Sequence, residues 1–291
     1  MVEEIKYKIG VAIPCFNNLD VLKNSIPSIY SENFLIALFD DGSDDGTEKW
    51  IKKNYPKIHY LKGDSSNWWT GSLSKLINYC LQKECDYILS LNADVVLDSS
   101  DVYRLVRSSI KENNAIVASI VVDINKPKEI LWSGSKFRKV PYLPLFTSRY
   151  IAKAGTSLES FGSEMFQVDE VHGRGVLFPK GIFEIIGNYD SETFPHYGGD
   201  TDFSFRAKNN NIDMYVDPLC VAMVFKENTS LNKTEHKTYM EKLYSIKNYL
   251  FDRKSGEALR LWWSLYKKHL PKRYLLQSFV FVILLNIYRR L

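Results

Sequence analysis

The chain has 291 residues, 38 Lys+Arg against 34 Asp+Glu, 45% hydrophobic and 14% aromatic content. That much apolar mass excludes a disordered chain, and the length suits one large domain or two small ones. The net charge of +4 hides an asymmetry: residues 253–291 hold nine Lys/Arg and one acid, so this tail carries +8 and the body −4.

The average charge gives no sign of a nucleic-acid partner and none is expected, whereas the tail asks for an anionic neighbour. The N-terminal MVEEIKYKIGVAIP has no basic segment leading into an apolar stretch, so no secretory signal is visible. Cys15, Cys80, Cys85 and Cys220 match neither a disulfide framework nor a zinc ligand set. A reducing, cytoplasmic compartment is the expectation.

Along the chain, short apolar runs alternate with helical patterns. Strands are predicted at Ile9–Ile13, Phe34–Phe39, His59–Lys62 and Tyr87–Leu91, and helices at Asp20–Tyr30, Thr47–Asn54 and Gly71–Lys83. A strand over 115–122 follows, then a Pro/aromatic excursion over about 127–146. Val171–Phe178 reads as a strand edge and Lys180–Ile186 as a short helix. A helix running to about Asn209 and a strand at Asp213–Val216 complete the body. Residues 236–291 look wholly helical, with a break at His269-Leu-Pro271. Fully apolar strands alternating with helices predict an α/β fold with a mostly parallel sheet covered on both faces. Polar residues at the carboxyl ends of such strands face the ligand crevice. Here those ends are Cys15-Phe16-Asn17, Asp40-Asp41 and Asn92-Ala93-Asp94.

Each motif has a structural and a chemical reading. Asp40–Thr47 is either a capped helix start or, with Asp40 directly after an apolar strand, a carboxylate facing a base or ribose. Asn92 and Asp94 share one face of an extended segment, which suits a turn or hard-oxygen ligation of Mg²⁺ or Mn²⁺ with substrate diphosphate. Gly198-Gly199-Asp200-Thr201-Asp202 opens a helix whose acids complement the helix dipole or supply a general base. No Gly-x-Gly-x-x-Gly follows the first strand, which argues against a dinucleotide enzyme.

In order, IGVAIPCFNN, ALFDDGSDDGT, DYILSLNAD, GRGVLFPKGIFEIIGNYD and FPHYGGDTDFSFRA resemble the family 2 glycosyltransferases over about residues 8–225. The resemblance implies a GT-A fold and inverting transfer of a sugar from a nucleotide-diphosphate sugar to a hydroxyl of a glycan or lipid-linked glycan, in surface polysaccharide biosynthesis. It places Pro14, Cys15 and Asn17 at the nucleotide, and Asp40 at the base or ribose with Asp41 beside it. Asn92-Ala93-Asp94 stands at the Asp-x-Asp position, with Asp94 the metal ligand for Mn or Mg. Asn in the first place is similar to the Asn-Pro-Asp version of rhamnosyltransferase-like members. Trp69 and Asn92 are assigned to the nucleotide sugar, and His172, Gly173, His196 and Asp202 to the acceptor. Asp200 matches the base of the family's Glu-Asp pair, with Gly199 where Glu is usual. The family often offers a His after the last strand; this chain has none there, and Lys226 is placed to meet the diphosphate.

A catalytic domain at 1–228 and a helical extension at 229–291 are expected. Residues 274–288 are apolar but about 15 long, too short for a span that needs ~20. In 257–270, Leu259, Trp262, Trp263, Tyr266 and Leu270 share a side with Lys and Arg beside them, as in an in-plane membrane helix. The same helices would otherwise pack on the body or form a homodimer. A peripheral place at the inner face of the plasma membrane is the expectation. Two other readings compete. A sugar nucleotidyltransferase should carry a Gly-rich basic loop after the first strand, which Cys15–Asn18 lacks. A nucleotide-sugar-binding module without turnover stays open through Gly199 and the missing His.

Overall fold

The computed structural model describes residues 7–139, 146–225, 238–251 and 258–288. Its first half is a parallel α/β unit: β1 (Ile9–Cys15), α1 (Leu19–Ile29), β2 (Phe34–Asp40), α2 (Thr47–Asn54), β3 (His59–Lys62), α3 (Trp68–Gln82) and β4 (Tyr87–Leu91). β1, β2 and β4 carry almost only buried side chains, because helices cover both faces. Gly10 lets α3 approach β1 closely: a Cβ there would lie 2.8 Å from Cys80 Sγ and 3.0 Å from Cys85 Sγ.

The second half comprises β5 (Val95–Val96), α4 (Ser99–Lys111), β6 (Ile116–Asp123), β7 (Lys126–Trp132), β8 (Ser135–Lys139) and β9 (Phe146–Tyr150). It continues with β10 (Phe166–Val168), β11 (Arg174–Pro179), α5 (Gly181–Ile186), α6 (Gly199–Asn209) and β12 (Met214–Val224). The main sheet runs β10-β12-β6-β11-β4-β1-β2-β3, with β11 antiparallel to both of its neighbours. The parallel pairs β1–β2, β1–β4, β2–β3 and β6–β12 make its frame.

Several boundaries differ from the sequence expectation. Helix α4 was not predicted; Asp98 caps it, its carboxylate accepting from the Ser100 N–H at 2.8 Å. The stretch expected as an extended excursion is built of strands: β7, paired with β6, and the β8–β9 hairpin. β12 runs eight residues past Val216, because its register shift between Asp217 and Val221 lets it keep pairing with β6. The expected domain boundary at 228/229, like Lys226, lies outside the described residues.

The tail forms α7 (Tyr239–Phe251), α8 (Ala258–His269) and α9 (Lys272–Tyr288), broken where expected at Pro271. α8 does not lie free with its aromatic face outward. Leu265 and Tyr266 are buried with Phe146, Phe194 and Phe205 in a second core, and Phe137 stacks on Phe205 at 4.2 Å. Burying such side chains stabilises by about 1.5–3 kcal/mol each, which outweighs exposure to an interface. α9 keeps Leu276, Val280, Leu284 and Tyr288 exposed at helical spacing. Among the described residues, no helix is long and apolar enough to cross a membrane.

Candidate active site

The carboxyl ends of β1 and β4 open into a cavity of about 510 Å³ lined by Pro14, Asn17, Asp45, Trp69, Asn92 and Asp94. Asn17 sits at φ 50°, a conformation Asn tolerates better than most residues. Its backbone N–H donates to Ser43 Oγ at 2.7 Å, and its Oδ1 accepts from the Asp44 N–H at 3.0 Å. The loops after β1 and β2 are thereby tied together. Cys15 lines an adjoining cavity of about 560 Å³ with Asp41, Trp68, Trp69 and His196. Burial pushes the Cys15 thiol far up, with Asp40 adding to it, so it stays protonated.

The paired acids of the second strand are engaged by the protein itself. Asp40 is buried and lines none of these cavities; its Oδ1 accepts from the Ser43 N–H at 2.8 Å and its Oδ2 from the Tyr60 hydroxyl. Asp41 accepts from the N–H groups of Ser65 (3.1 Å), Asn67 (3.0 Å) and Trp68 (2.8 Å), and from Asn67 Nδ2 (2.8 Å). It satisfies orphan donors at the start of α3 and holds Trp68 at φ 55°.

Trp69 is the wall between the two halves of the crevice. Its Nε1–H donates to Asn92 Oδ1 at 2.9 Å, and its ring lies on Gly173, where a Cβ would come within 2.5 Å of Cζ2. Asn92 is thus held toward Trp69, while the half-buried Asp94 lines the cavity beside it. Burial raises the Asp94 carboxyl above the usual range, opposed in part by the Arg174 guanidinium. Among the described residues there is no cluster of three His, Cys, Asp or Glu that could enclose a metal. A lone desolvated carboxylate fits a cation whose other ligands are diphosphate oxygens and water, and the ion's charge would offset that desolvation.

On the far side of Asp94 lies a cavity of about 580 Å³, lined also by His172, Arg174, His196, Tyr197 and Asp200. Gly198, left-handed at φ 85°, starts α6 and turns Asp200 into it. Asp200 Oδ2 accepts from the Gly173 N–H at 3.2 Å and Oδ1 from the Tyr189 hydroxyl at 3.1 Å. Burial raises its carboxyl above the usual range, while the His172 charge and these donors pull against it. The same burial and the Asp200 charge push the Tyr189 phenol well up, so it remains a donor. His196 Nδ1 is buried with no hydrogen-bond partner among the described residues, and burial lowers its pKa.

Position 199 has no room for the family's Glu. A Cβ there would lie 2.8 Å from Thr70 Oγ1 and 2.9 Å from its Cγ2. A second acid lies near Asp200, in the adjoining cavity. Glu170, buried, is 3.6 Å from His172 Nε2 and accepts from Thr201 (2.7 Å) and Ser148 (3.0 Å). Burial alone would raise Glu170, but His172 and the two hydroxyls bring it down to about 2. His172 stacks on Trp132 at 5.1 Å; burial disfavours its charged form, but Glu170 overrides this and the net shift is upward. Glu170, Arg174 and Tyr189 were not singled out from sequence. An alternating Glu170-x-His172-x-Arg174 in an extended segment was the available signal.

Asp202, expected at the acceptor, is engaged by basic groups of α6 and α8. It is fully buried, pairing with Arg206 Nε at 2.9 Å and with Lys268 Nζ and His269 Nε2 of α8 at 2.7 Å each. Against the burial penalty, His269 and Lys268 lower its carboxyl to about 2. The structure therefore gathers Trp69, Asn92, Asp94, His172, Gly173, His196 and Asp200 around one cavity.

A mostly parallel α/β sheet flanked by helices, with cavities at the carboxyl ends of β1 and β4, has the GT-A architecture, and solved structures agree in fold. GalNAc-T7 with UDP, GalNAc and Mn²⁺ matches with TM-score 0.58 and 13% identity, over 97% of this chain and 55% of that one. Mannosyltransferase PcManGT from Pyrobaculum calidifontis, in complex with GDP-Man and Mn²⁺, matches with TM-score 0.56 and 10% identity, over 98% and 74%. The glycosyl transferase family 2 model matches residues 10–169, and the chain belongs to that family. The low-salt glycan biosynthesis hexosyltransferase Agl10 of Haloferax volcanii is 24% identical over 199 residues. That match covers 66% of this chain and 60% of the relative, so the chain spans less than two thirds of its length. Asp200, His172 and Glu170 lie beyond the residues matched by the family model.

Proposed function

We propose that the protein is an inverting glycosyltransferase. It moves a sugar from a nucleotide-diphosphate sugar to a hydroxyl of a glycan or lipid-linked glycan acceptor, in surface polysaccharide biosynthesis. The observation that carries this reading is the pair Asp94 and Asp200. Both face one cavity, both are raised by burial, and Asp94 is shared with the adjoining cavity of Pro14, Asn17 and Asn92. The nucleotide occupies the latter and the acceptor the former, so transfer takes place across Asp94. The Mn²⁺ of both solved neighbours supports a divalent cation, Mn or Mg, held by Asp94. When bound, it supplies positive charge against the charge growing on the departing diphosphate.

Asp200 accepts the acceptor hydroxyl proton while that oxygen attacks the anomeric carbon and the bond to the diphosphate breaks. Its raised pKa makes it a stronger base than an ordinary Asp, and the Gly173 N–H and Tyr189 hydroxyl aim its oxygens. The catalytic domain spans 1–228 and the extension 229–291. The exposed stripe of α9 and the +8 tail support a peripheral place on the inner face of the plasma membrane. Asp200→Asn tests the reading. Transfer should fall by about 10²–10⁴-fold, while thermal shifts with UDP-, GDP- and dTDP-sugars stay as in the wild type. Transfer at the wild-type rate overturns the base assignment.

A further inference from the structure

Arg174 opens β11, is half-buried, and lines the cavity of about 580 Å³ together with Asp94, His172 and Asp200. Arg104 and Arg206 are neutralised by the protein itself, through Asp217 and Asp202. Arg174 is not. Among the described residues its guanidinium makes no hydrogen bond or ion pair, although its charge is close enough to pull the Asp94 carboxyl down. A guanidinium is a rigid fork of N–H donors that does not lose its charge. Held half-buried without a partner, it is matched to an anion that enters the cavity.

The backbone is shaped to put it there. β11 pairs with β4 through Arg174 opposite Leu91 and Val176 opposite Ser90, so the register shifts across Gly175. Gly175 is left-handed at φ 84°, and a Cβ on it would lie 2.9 Å from Ser119 Oγ, so the kink calls for glycine on both counts. On the other side, the Arg174 N–H donates to the His172 carbonyl at 2.6 Å, tightening the chain around Gly173. An extra residue in one strand bends it and re-aims its neighbours, and here Arg174 is brought into the cavity that Asp94 lines.

The surrounding charge narrows the choice of anion. Asp20, Asp45 and Asp94 line the cavity on the nucleotide side, and Asp94 and Asp200 the cavity of the base. Among the described residues lining the two, Arg174 is the one permanent cation. With the nucleoside beside Pro14 and Asn17, the phosphate that carries the sugar is the one that reaches Asp94 and the Arg174 cavity. We infer that Arg174 is a catalytic residue whose guanidinium binds the β-phosphate of the donor. This rests on the transferase reading for the donor's placement. As the acceptor oxygen bonds to the anomeric carbon and gives its proton to Asp200, the C–O bond to the β-phosphate breaks. Its electron pair stays on the phosphate oxygen, and Arg174 offsets the charge that collects there.

The test is isothermal titration calorimetry of the full chain with UMP, UDP, GMP, GDP, dTMP and dTDP in the presence of Mn²⁺. The wild type should bind at least one diphosphate, and more tightly than the matching monophosphate. Arg174→Gln should weaken that diphosphate about tenfold or more, the loss of roughly 1.4 kcal/mol, and leave the monophosphate within about twofold. Arg174→Lys, which keeps the charge but not the fork, should recover part of the loss. Melting temperatures of both variants should stay within about 2 °C of the wild type, because the guanidinium has no partner among the described residues. Wild-type diphosphate affinity in Arg174→Gln, or equal weakening of monophosphate and diphosphate, overturns the inference and leaves the transferase reading standing. Failure of the wild type to bind any of the six nucleotides would sink the transferase reading, and this inference with it.

Discussion

Adding one carbon at Gly173 tests how tightly the crevice wall is built. The backbone there is not left-handed, so Gly173→Ala changes space and not conformational strain. The new Cβ would stand 2.5 Å from Trp69 Cζ2, 3.0 Å from Cη2 and 3.3 Å from Ser90 Oγ. Carbon atoms rest about 3.5–4.0 Å apart, so the indole must retreat by about 1 Å. It has little freedom to do so, because Nε1 is bonded to Asn92 and the ring meets Tyr189 edge-on at 6.1 Å. Overpacking of this size costs about 1–3 kcal/mol, and a strained indole–amide bond about 1 more. At about 3 kcal/mol in all, the melting temperature should fall by about 6–12 °C. Transfer should fall further, about 100-fold, because the moving groups carry Asn92 and the Gly173 N–H that aims Asp200.

Differential scanning calorimetry and transfer kinetics read the two effects. Gly181→Ala is the control: nothing lies within 4 Å of its Cβ position at the start of α5, and Ala there should be neutral or slightly stabilising. Trp69→Phe removes the atoms that clash, so the double variant should regain most of the stability lost by Gly173→Ala. Wild-type melting and transfer in Gly173→Ala, or purely additive losses in the double variant, would refute the reasoning.

The Glu170–His172 pair gives a pH signature. Glu170 is depressed, so its contribution is present above the ordinary carboxylate value and lost as pH falls toward about 2. His172 is raised, so its contribution is full below its ordinary value of about 6.5 and lost as pH rises through the folded one. Urea melts of His172→Gln should therefore show a deficit of about 2 kcal/mol between roughly pH 4.5 and 6.5 that shrinks at higher pH; a flat difference would sink the pairing. Asp200, raised by burial, should place the acidic limb of the transfer rate above the usual Asp range, and a limb at or below an unperturbed Asp would contradict that. For the tail, truncation would strip Leu265 and Tyr266 from a shared core, so surface substitution is the cleaner test. Leu276→Ser with Val280→Ser and Leu284→Ser should cut flotation with anionic liposomes by about 100-fold or more. Unchanged flotation removes the membrane role, and a dimer lost on sedimentation instead assigns the face to a second copy.

Much of this protein was determined by its sequence alone. The apolar runs at Ile9–Ile13, Phe34–Phe39 and Tyr87–Leu91 could only be strands buried on both faces, and the acids that end them marked the crevice. Asp94 stands at one of those ends, whereas Asp200 was singled out by the glycine turn that opens α6. Periodicity carries no such information about which neighbour an acid meets. Asp40 and Asp202 read as site residues, and only the fold shows that Asp40 meets Tyr60, 20 residues on, and Asp202 meets Lys268 and His269, over 60 residues on. Glu170 and His172 come near Asp200 only once β11 is inserted between β4 and β6. The tail shows the same division. Its charge and amphipathic pattern were plain, but a Trp/Tyr face on a helix satisfies lipid, protein or sugar equally well. Which one it meets is a matter of shape and distance: packing put Leu265 and Tyr266 into a core and left Trp262 at the junction of two cavities.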